Sequence, residues 1–491
     1  MEVSIAGMII AALIATICMF GRRVAIITSI CAFAFPSTAL VTLTSLGGSS
    51  ITVPQFGLVC LFITALSSGD LAPKISNIFK TEASAQIIAL FTIFAVVGAY
   101  IMPRLFTDVT EVFSLARSSS GRGNVLSTVP LSPSSGNITQ PFYFLGNLAG
   151  FLSILVLSQS RKTLDMVVAG LIGLVIVHTL GGAIDFVSKY GVGFDLLDFL
   201  RTAKYAMLID VDVLSFKRIV GLYPEASSFA YASIAYTALM FGFWRIMGIP
   251  LSGLLFFFVL GCLAVSTSST AYFCLAFLAV VYTLVLIKQS TTGYVEVLSI
   301  SLALAVLLVI ILILALIVFA PKLLEPYQDL IQRMVFNKAD SESARQRFGW
   351  NMQAVTNFMQ TYGMGAGLGS LRSSSWILTL LAELGLIGAL SYGAFVASLF
   401  APAGIAKSSR DRYLAGVRLS CQIMLFAFLV AACISSSLFD LGGAFYIAAG
   451  CAVAARRVER GETLYMQWER GMARSHDPEI AGRWSSARVK S

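Results

Sequence analysis

Long apolar runs are the feature that most constrains this chain of 491 residues. About thirteen of them approach the roughly 20 residues that cross the hydrocarbon core of a bilayer. Hydrophobic residues make up 57% of the chain and charged residues 12%, against roughly 45–50% and about 25% in soluble proteins. Because a soluble fold could not bury that much apolar surface, the sequence predicts an all-α polytopic transmembrane protein.

The predicted spans are 3–20, 24–45, 51–68, 83–102, 141–160, 165–186, 226–243, 249–266, 270–288, 296–320, 373–400, 414–435 and 437–455. The first run has no basic residue before it and is followed by Arg22 and Arg23, which favours an uncleaved first span. Basic residues then recur on alternate connections, whereas the short connections at 46–50, 267–269 and 436 have no Lys or Arg. The positive-inside rule therefore predicts an N-terminus outside the cell membrane and a C-terminus in the cytoplasm.

The charge pattern also bears on partners and cofactors. The formal net charge of +9 is divided among short clusters between apolar runs, so nucleic-acid binding is not expected. The eight cysteines all lie in apolar runs at spacings that match no metal site, and His178 and His476 are the two histidines. His178 is predicted to be a hydrogen-bonded interior residue. The sequence therefore implies no metal and no cofactor.

Two parts are predicted, a transmembrane domain over 1–455 and a polar cytoplasmic tail over 456–491. Three long loops, 103–140, 187–225 and 321–372, fall on the outer face. The first is rich in Ser, Gly and Pro and is predicted to be flexible. The other two carry most of the charge, so any chemistry outside the cytoplasm is expected there, while the arginines of the tail are expected to contact anionic lipid headgroups.

The third loop has a helical pattern that ends in a glycine-dense segment. Ser341 is a suitable N-cap for a helix that runs to Gln360. The apolar stripe of that helix is Ala344, Phe348, Met352, Val355 and Met359. We expect the helix to lie against the membrane or over a cavity. The segment 363–370 lacks the Gly-Lys-Ser/Thr ending of a phosphate-binding loop; its backbone amides could approach an anion, or it could be a flexible hinge.

Two candidate positions flank the predicted span 226–243. Arg218 and Glu225 lead into it from outside, and Glu225 at a helix start is already explained by the helix dipole. The same helix start beside a guanidinium would also hold a phosphate group. Ser268 belongs to a hydroxyl cluster at 266–270 that could bond sugar or phosphate oxygens, or simply satisfy helix ends. Both interpretations of each position remain open.

The helix of the third loop carries Arg345, Arg347 and Trp350. Two guanidinium groups and an indole could clamp a diphosphate and stack on a sugar ring. Arg372, just before the span 373–400, has the same potential. The alternative is that these basic residues face solvent or lipid headgroups.

Motifs between residues 218 and 388 resemble the O-antigen ligase and polysaccharide polymerase family. They are Arg218-x-x-Gly221-x-x-x-Glu225, Arg347-x-x-Trp350, Gly363-x-Gly365-x-Gly367, Ser374-Ser375-Trp376-Ile377-Leu378 and Glu383-Leu384-Gly385-Leu386-Ile387-Gly388. Members of this family transfer glycans from a polyprenyl diphosphate at the outer face of the bacterial inner membrane, with inversion and without a metal. The resemblance therefore implies the architecture of a membrane glycosyltransferase that uses polyprenyl donors.

Carried over by resemblance, the diphosphate-binding role falls on Arg218 and Arg347 first, with Arg345 and Arg372 as second candidates. Trp350, Ser268 and Ser374 are then candidate substrate contacts. Ligases of the family carry a histidine in a pattern that Leu378 and Gly385 fit, but Ser374 occupies the histidine position here. This departure favours polymerisation over ligation, with Glu225 orienting or deprotonating the acceptor hydroxyl.

The resulting prediction is a polymerase of a surface or extracellular polysaccharide. Its partners would be a polyprenyl-diphosphate-linked oligosaccharide, membrane lipids, and a chain-length regulator with export machinery. The alternatives are a ligase that attaches glycan to a lipid or protein acceptor, and a transporter without covalent chemistry. A transporter should show broken helices at matching places in two repeated halves, a pattern that is not evident in the sequence.

Overall fold

The computed structural model describes residues 1–46, 48–117, 124–203, 212–213, 216–291, 342–402 and 409–474. Within these ranges the chain forms fourteen α-helices and three small antiparallel sheets. The helices are α1 Ile5–Cys18, α2 Arg22–Cys31, α3 Val53–Leu66, α4 Leu71–Thr81, α5 Ala83–Leu105, α6 Gly136–Leu157, α7 Arg161–Val187, α8 Ala226–Arg245, α9 Pro250–Val265, α10 Ser269–Thr291, α11 Glu342–Gln360, α12 Trp376–Leu399, α13 Ser409–Ser435 and α14 Gly443–Arg474. The predicted helical character is confirmed, although the sheets were not predicted.

Fewer helices than predicted meet the length and hydropathy requirements of a membrane span. Among the described residues, α5, α6, α7, α12 and α13 are long and apolar enough, and the pair α3–α4, bent by 106°, brings the number to six. The predicted count of thirteen is therefore not confirmed. The predicted span 296–320 lies outside the described residues.

The predicted span 24–45 is not a continuous helix, whereas the span 51–68 corresponds to α3, Val53–Leu66, after two residues of a strand. Helix α2 ends at Cys31, and strands β1 (Glu2–Val3), β2 (Ala39–Leu43) and β3 (Ser49–Thr52) form an antiparallel sheet. The β-branched residues of β2 and β3 favour extended backbone. A hydropathy window cannot distinguish an apolar strand from an apolar helix segment, so the prediction for 24–45 is wrong beyond the end of α2.

The first outer loop is also more ordered than its composition suggests. Strands β4 (Glu111–Arg117) and β5 (Asn124–Pro130) pair in an antiparallel hairpin, with Glu111 opposite Pro130. A second, shorter hairpin pairs β6 (Asp212–Val213) with β7 (Phe216–Lys217), directly before Arg218. The prediction of a flexible loop is wrong for the strands, which contain the β-branched residues Val112, Val125, Thr128 and Val129 and form a regular ladder.

Aromatic side chains fill the centre of the bundle. Phe91 of α5, Phe144 of α6 and Phe439 lie around Tyr392 of α12, with ring centroids 5.0 Å apart for Phe91–Tyr392 and for Phe144–Phe439. The Tyr392 and Tyr446 hydroxyl groups share a buried hydrogen bond of 2.8 Å. Aromatic pairs at such separations add to the free energy gained by burial alone. This core joins α5, α6, α12 and α14.

The outer surface of the bundle carries large apolar side chains. On α5, Leu90 is 69% exposed and Ile93 is 63% exposed. Rows of exposed apolar residues of this kind mark contact with a partner or a membrane rather than with water. The surface therefore supports membrane insertion, in agreement with the helix lengths.

Connections gather at two ends of the bundle. At one, here called the loop end, Ser37 donates its backbone N–H to Leu222 (3.3 Å) and Arg372 donates its own to Phe113 (3.0 Å). At the other, called the opposite end, the Arg22 guanidinium donates to the Leu157 carbonyl at 3.2 Å. The sheets and the described parts of the segments 187–225 and 321–372 belong to the loop end.

Helix α14 continues well past residue 455, where the tail was predicted to begin. Arg456 is only 4% exposed and donates to the Glu82 carboxylate at 2.7 Å. Arg418 and Glu459 form a second ion pair at 3.0 Å. The first part of the tail is thus helical and packed at the opposite end, so the expectation of lipid contact is wrong for Arg456. Residues 475–491 lie outside the described residues.

Candidate functional site

Arg218, Glu225 and Arg347 lie close enough to influence one another electrostatically, although Arg347 comes from a distant segment. Burial lowers the pKa of the Arg218 guanidinium, Glu225 acts in the opposite sense, and Arg347 lowers that pKa further. Tyr272 of α10 is a fourth nearby group, which the sequence did not single out. The structure therefore brings the two arginines ranked first and the candidate base into one corner of the loop end.

The backbone around Arg218 is held by buried ionic side chains of α7 and its extension. Lys189 Nζ donates to the Arg218 carbonyl at 2.6 Å. The Asp185 carboxylate accepts the backbone N–H groups of Val220 at 2.7 Å and Gly221 at 3.0 Å. A carboxylate that accepts hydrogen bonds from two successive backbone amides fixes the direction of the chain at those residues. Side chains of α7 and its extension thus hold the backbone at Arg218 in position.

Asp185 is itself part of a buried ion pair. Its carboxylate lies 2.7 Å from Arg201 Nη2, and both side chains are fully buried. Arg201 Nε donates to the Gly221 carbonyl at 3.0 Å, and Arg201 also pairs with Asp195. Neither Asp185 nor Arg201 was a sequence candidate, because nothing in their spacing links them to Arg218. An acidic residue within an apolar run was the signal that could have found Asp185.

Glu225 is the N-cap residue of α8 and accepts hydrogen bonds from the hydroxyl groups of Ser227 and Ser228, the latter at 3.3 Å. This arrangement agrees with the structural interpretation of a carboxylate at a helix start. The same carboxylate acts electrostatically on Arg218. In contrast, Arg218 Nε is buried and has no partner among the described residues, so one guanidinium donor is unused.

Helix α11 presents Arg347, Trp350 and Asn351 on one face, since residues three and four apart are neighbours on a helix. The Trp350 ring packs edge-on against Phe113 of β4 at 6.4 Å. Asn351 Oδ1 accepts the backbone N–H of Ser374 at 2.8 Å. The structure therefore brings Trp350 and Ser374 to the same helix as Arg347, whereas Arg345 is exposed and lies off this face.

The predicted apolar stripe of α11 faces outward. Phe348 is 68% exposed and Met359 is 66% exposed, while Ala354 and Asn357 are buried against the loop end. Asn357 Nδ2 donates to the Thr110 hydroxyl at 2.8 Å. The helix thus packs through its small and polar residues, and Phe348, Met352 and Met359 of its apolar stripe are exposed, as on a helix that lies on a membrane surface. Ser341, its predicted cap, is outside the described residues.

Arg372 belongs to a second group of charges. Burial lowers the pKa of the Arg372 guanidinium, and the Glu383 carboxylate acts in the opposite sense. Glu383 is 2% exposed, and its Oε1 accepts the Gly369 backbone N–H at 3.0 Å. No direct contact between Arg372 and Arg218 is recorded among the described residues. Arg372 therefore supports the segment before α12 more directly than it supports the Arg218 corner.

The glycine-dense segment packs into a break in α12. Gly385 has φ 66° and ψ −170°, a combination that is essentially restricted to glycine. At the break, Gly367 donates its N–H to the Glu383 carbonyl at 2.8 Å, and Leu386 donates its N–H to the Gly363 carbonyl at 2.9 Å. This packing favours a fixed segment over a flexible hinge. Its Gly367 amide is also committed to α12 rather than open to an anion.

Ser268 is buried, with 1% of its surface exposed. Its carbonyl accepts the backbone N–H of Tyr272 at 3.3 Å, and the neighbouring Ser266 hydroxyl donates to the Leu263 carbonyl at 2.7 Å. These bonds satisfy the ends of α9 and α10, as the structural interpretation predicts. Ser268 therefore supports Tyr272, and its side chain is not presented at the surface.

The ionisable residues inside the bundle have local partners. His178 is 2% exposed, and its Nε2 lies 2.8 Å from the Ser233 hydroxyl, as expected for an interior histidine. Asp440 accepts from Asn147 Nδ2 at 2.7 Å and from the Gly442 amide at 3.0 Å. Glu296, an acidic residue in the predicted span 296–320, lies outside the described residues.

The fold and this corner define a mostly helical protein with apolar helices able to cross a membrane and a half-buried group of cations at one end. Comparison of the chain with protein-family models, with curated proteins and with solved structures gives no match. The function must therefore be inferred from the residues of the corner and from the resemblance in sequence.

Proposed function

We propose that this protein is a polysaccharide polymerase of the bacterial inner membrane, active at its periplasmic face. In this proposal a glycan chain on a polyprenyl diphosphate is transferred to the terminal sugar of a lipid-linked repeat unit. The proposal joins the sequence resemblance over residues 218–388 to the arrangement of charges at the loop end. It requires no metal or cofactor.

The observation that carries the proposal is the approach of Arg347 to Arg218. Two guanidinium groups repel each other, and only one carboxylate, Glu225, is recorded as interacting with Arg218 among the described residues. An excess of positive charge in a half-buried place is stabilised by an anion with several oxygens. A diphosphate has that charge and can accept bidentate hydrogen bonds from both arginines.

The reaction follows from these placements. The acceptor hydroxyl oxygen attacks the anomeric carbon of the donor sugar, and the bond from that carbon to the diphosphate oxygen breaks. The leaving diphosphate keeps the electron pair, and its charge is stabilised by Arg218 and Arg347, as in other preorganised electrostatic sites. The hydroxyl proton passes to Glu225. Attack from the side opposite the diphosphate inverts the configuration of the sugar.

The test is to replace Arg218 and Arg347 separately by lysine. Lysine keeps the charge but lacks the bidentate fork, so we expect each variant to lose chain extension by about 100-fold, which corresponds to roughly 3 kcal/mol for a charged hydrogen bond. Polymer length is measured on gels of the cellular glycan, with membrane insertion checked by immunoblotting.

Arg104→Lys is the matched control. Arg104 is also a loop-end arginine, but its guanidinium carbon lies 3.8 Å from the centre of the Tyr100 ring on its own helix. Its polymer should have the length of the wild type. Polymer of normal length in Arg218→Lys or Arg347→Lys would count against the proposed site.

Ligation and transport predict different glycans in a strain that lacks the protein. Accumulation of single lipid-linked repeat units supports a polymerase, and accumulation of long lipid-linked chains supports a ligase. The absence of both products supports a transporter. The break in α12 at Gly385 is the observation that favours transport, since transporters bind substrates at discontinuous helices. The deletion experiment therefore separates the three functions directly.

A further inference from the structure

A cavity of about 500 Å³ lies at the opposite end of the bundle, away from the Arg218 corner. It is bounded by the end of α1, the beginning of α2 and one side of α3. Its apolar part includes Ala15, Met19, Phe56, Val59 and Ile63. The volume is within the roughly 300–1,000 Å³ typical of sites for small organic ligands.

The mouth of the cavity is polar and basic. Gly21 and Arg22 begin α2 there, and no side chain caps this helix start. The first amides of a helix lack intrahelical partners and favour an anion. Arg22 uses one N–H to reach the Leu157 carbonyl at 3.2 Å, which leaves most of its five donors available. The cavity is therefore amphiphilic, with cationic and apolar parts.

Two further groups strengthen the polar mouth. Ser68 lines the cavity, and its hydroxyl is buried without a partner among the described residues. Lys74 Nζ donates to the carbonyls of Ser68 at 3.1 Å and Gly69 at 2.8 Å, which places a second cation beside a residue of the cavity wall. Two cations, Arg22 and Lys74, thus lie in or beside the cavity wall, and a phosphate diester accepts charge-assisted hydrogen bonds from such groups.

The outer faces of the same helices indicate the source of the occupant. Leu13 of α1 is 57% exposed, and Leu66 of α3 is 46% exposed. These side chains are apolar, and on a membrane-inserted bundle they face lipid. A bilayer lipid with an acyl chain and an anionic headgroup therefore matches both the apolar and the cationic parts of the cavity.

We propose that this cavity binds an anionic diacyl phospholipid, with one acyl chain between α1 and α3 and the phosphate at the start of α2. The inference is independent of the glycan chemistry, since it uses none of the residues of the Arg218 corner. It assigns the opposite end a lipid site with defined walls rather than a diffuse attraction to headgroups.

The acyl-chain part is tested by filling the cavity. Ala15 lines it and is exposed, whereas Ala12 is equally exposed on α1 but is not part of the wall. The full-length protein is purified in detergent, phosphatidylglycerol is added, and bound lipid is measured by native mass spectrometry. We expect Ala15→Trp to lower the affinity for phosphatidylglycerol at least about ten-fold, while Ala12→Trp retains it. Equal binding by Ala15→Trp and wild type would overturn the proposal.

The headgroup part is tested with two adjacent arginines. Arg22 lines the cavity and Arg23 does not, although both are exposed. We expect Arg22→Gln to abolish the preference for phosphatidylglycerol over phosphatidylcholine, and Arg23→Gln to change it less than about three-fold. Equal losses in the two variants would indicate general electrostatic attraction and would also overturn the site. Arg22→Lys should restore part of the preference, because it keeps the charge.

Discussion

Asp185 illustrates how a single buried carboxylate can organise a site that it does not belong to. It accepts the amides of Val220 and Gly221 and pairs with Arg201, and it has no exposed surface. Charges taken out of water are stable only when they are both paired and hydrogen-bonded. All of these partners therefore depend on one another, and together they hold the segment that carries Arg218 in position.

Replacing Asp185 by asparagine should destabilise the protein strongly. The amide keeps the shape of the side chain but leaves Arg201 without a full counter-charge, which costs about 3 kcal/mol when a buried partner is removed. Asp165→Asn is the control on the same helix, because Asp165 is exposed; its effect should stay below about 1 kcal/mol. Chemical unfolding in detergent measures both. Similar values for the two variants would contradict the role assigned to Asp185.

Sequence reasoning could find parts of this corner but not its whole composition. Arg218 and Glu225 are neighbours along the chain, so their spacing alone placed them together. Arg347 was selected by the two guanidinium groups of its helix and by resemblance. Tyr272 was missed, because a tyrosine near a helix start has no distinguishing pattern until the fold brings it to Arg218.

Helix α12 shows how an element can be interrupted and remain well packed. A β-carbon on Gly385 would lie 2.4 Å from the Gly363 carbonyl oxygen, and one on Gly365 would lie 2.5 Å from the Gly385 nitrogen. Both glycines have positive φ, so their close approach needs two residues without side chains. The freed backbone groups of α12 are bonded by the glycine-dense segment, which meets the requirement for a broken helix in a membrane.

Gly385→Ala should therefore destabilise this element. The substitution adds a clash to a backbone conformation that costs roughly 1–3 kcal/mol for other residues, so we expect a loss of at least about 2 kcal/mol. Gly393 lies on the same helix, and a β-carbon there meets nothing within 4 Å. Gly393→Ala should leave stability unchanged or raise it by about 0.5–1 kcal/mol. Thermal unfolding in detergent gives the comparison, and the reverse order of the two variants would refute the packing argument.

The element boundaries show where hydropathy ceases to be informative. The run 83–102 corresponds closely to helix α5, Ala83–Leu105. A long apolar segment that crosses a membrane alone must form an α-helix, because only a helix satisfies its backbone hydrogen bonds internally. The run 24–45 instead contains α2 and strand β2, since apolar residues serve helices and sheets equally well. Helix α14 extends beyond its apolar part, because Arg456 forms an ion pair with Glu82 there.

At the scale of the whole molecule, the two ends differ in what they hold. The loop end contains the three sheets, the Arg218 corner and the packed glycine segment, whereas the opposite end contains tight turns and ion pairs such as Arg456–Glu82. The positive-inside rule predicts that the loop end faces outward. A polymerase with a lipid-linked substrate also requires its cations beyond the cytoplasmic leaflet, so orientation and function constrain each other.

Cysteine labelling tests this orientation. Thr356 on α11 and Lys162 at the start of α7 are both exposed and lie at the loop end and the opposite end, respectively. In cells with a permeabilised outer membrane, a membrane-impermeant maleimide should label Thr356→Cys and should not label Lys162→Cys, with the unsubstituted protein giving the background of the native cysteines. After lysis both variants should react, which shows that each thiol is accessible. The opposite pattern would place the arginine corner in the cytoplasm, where a periplasmic polymerase could not use it, and labelling of both variants before lysis would contradict a bundle that separates two compartments.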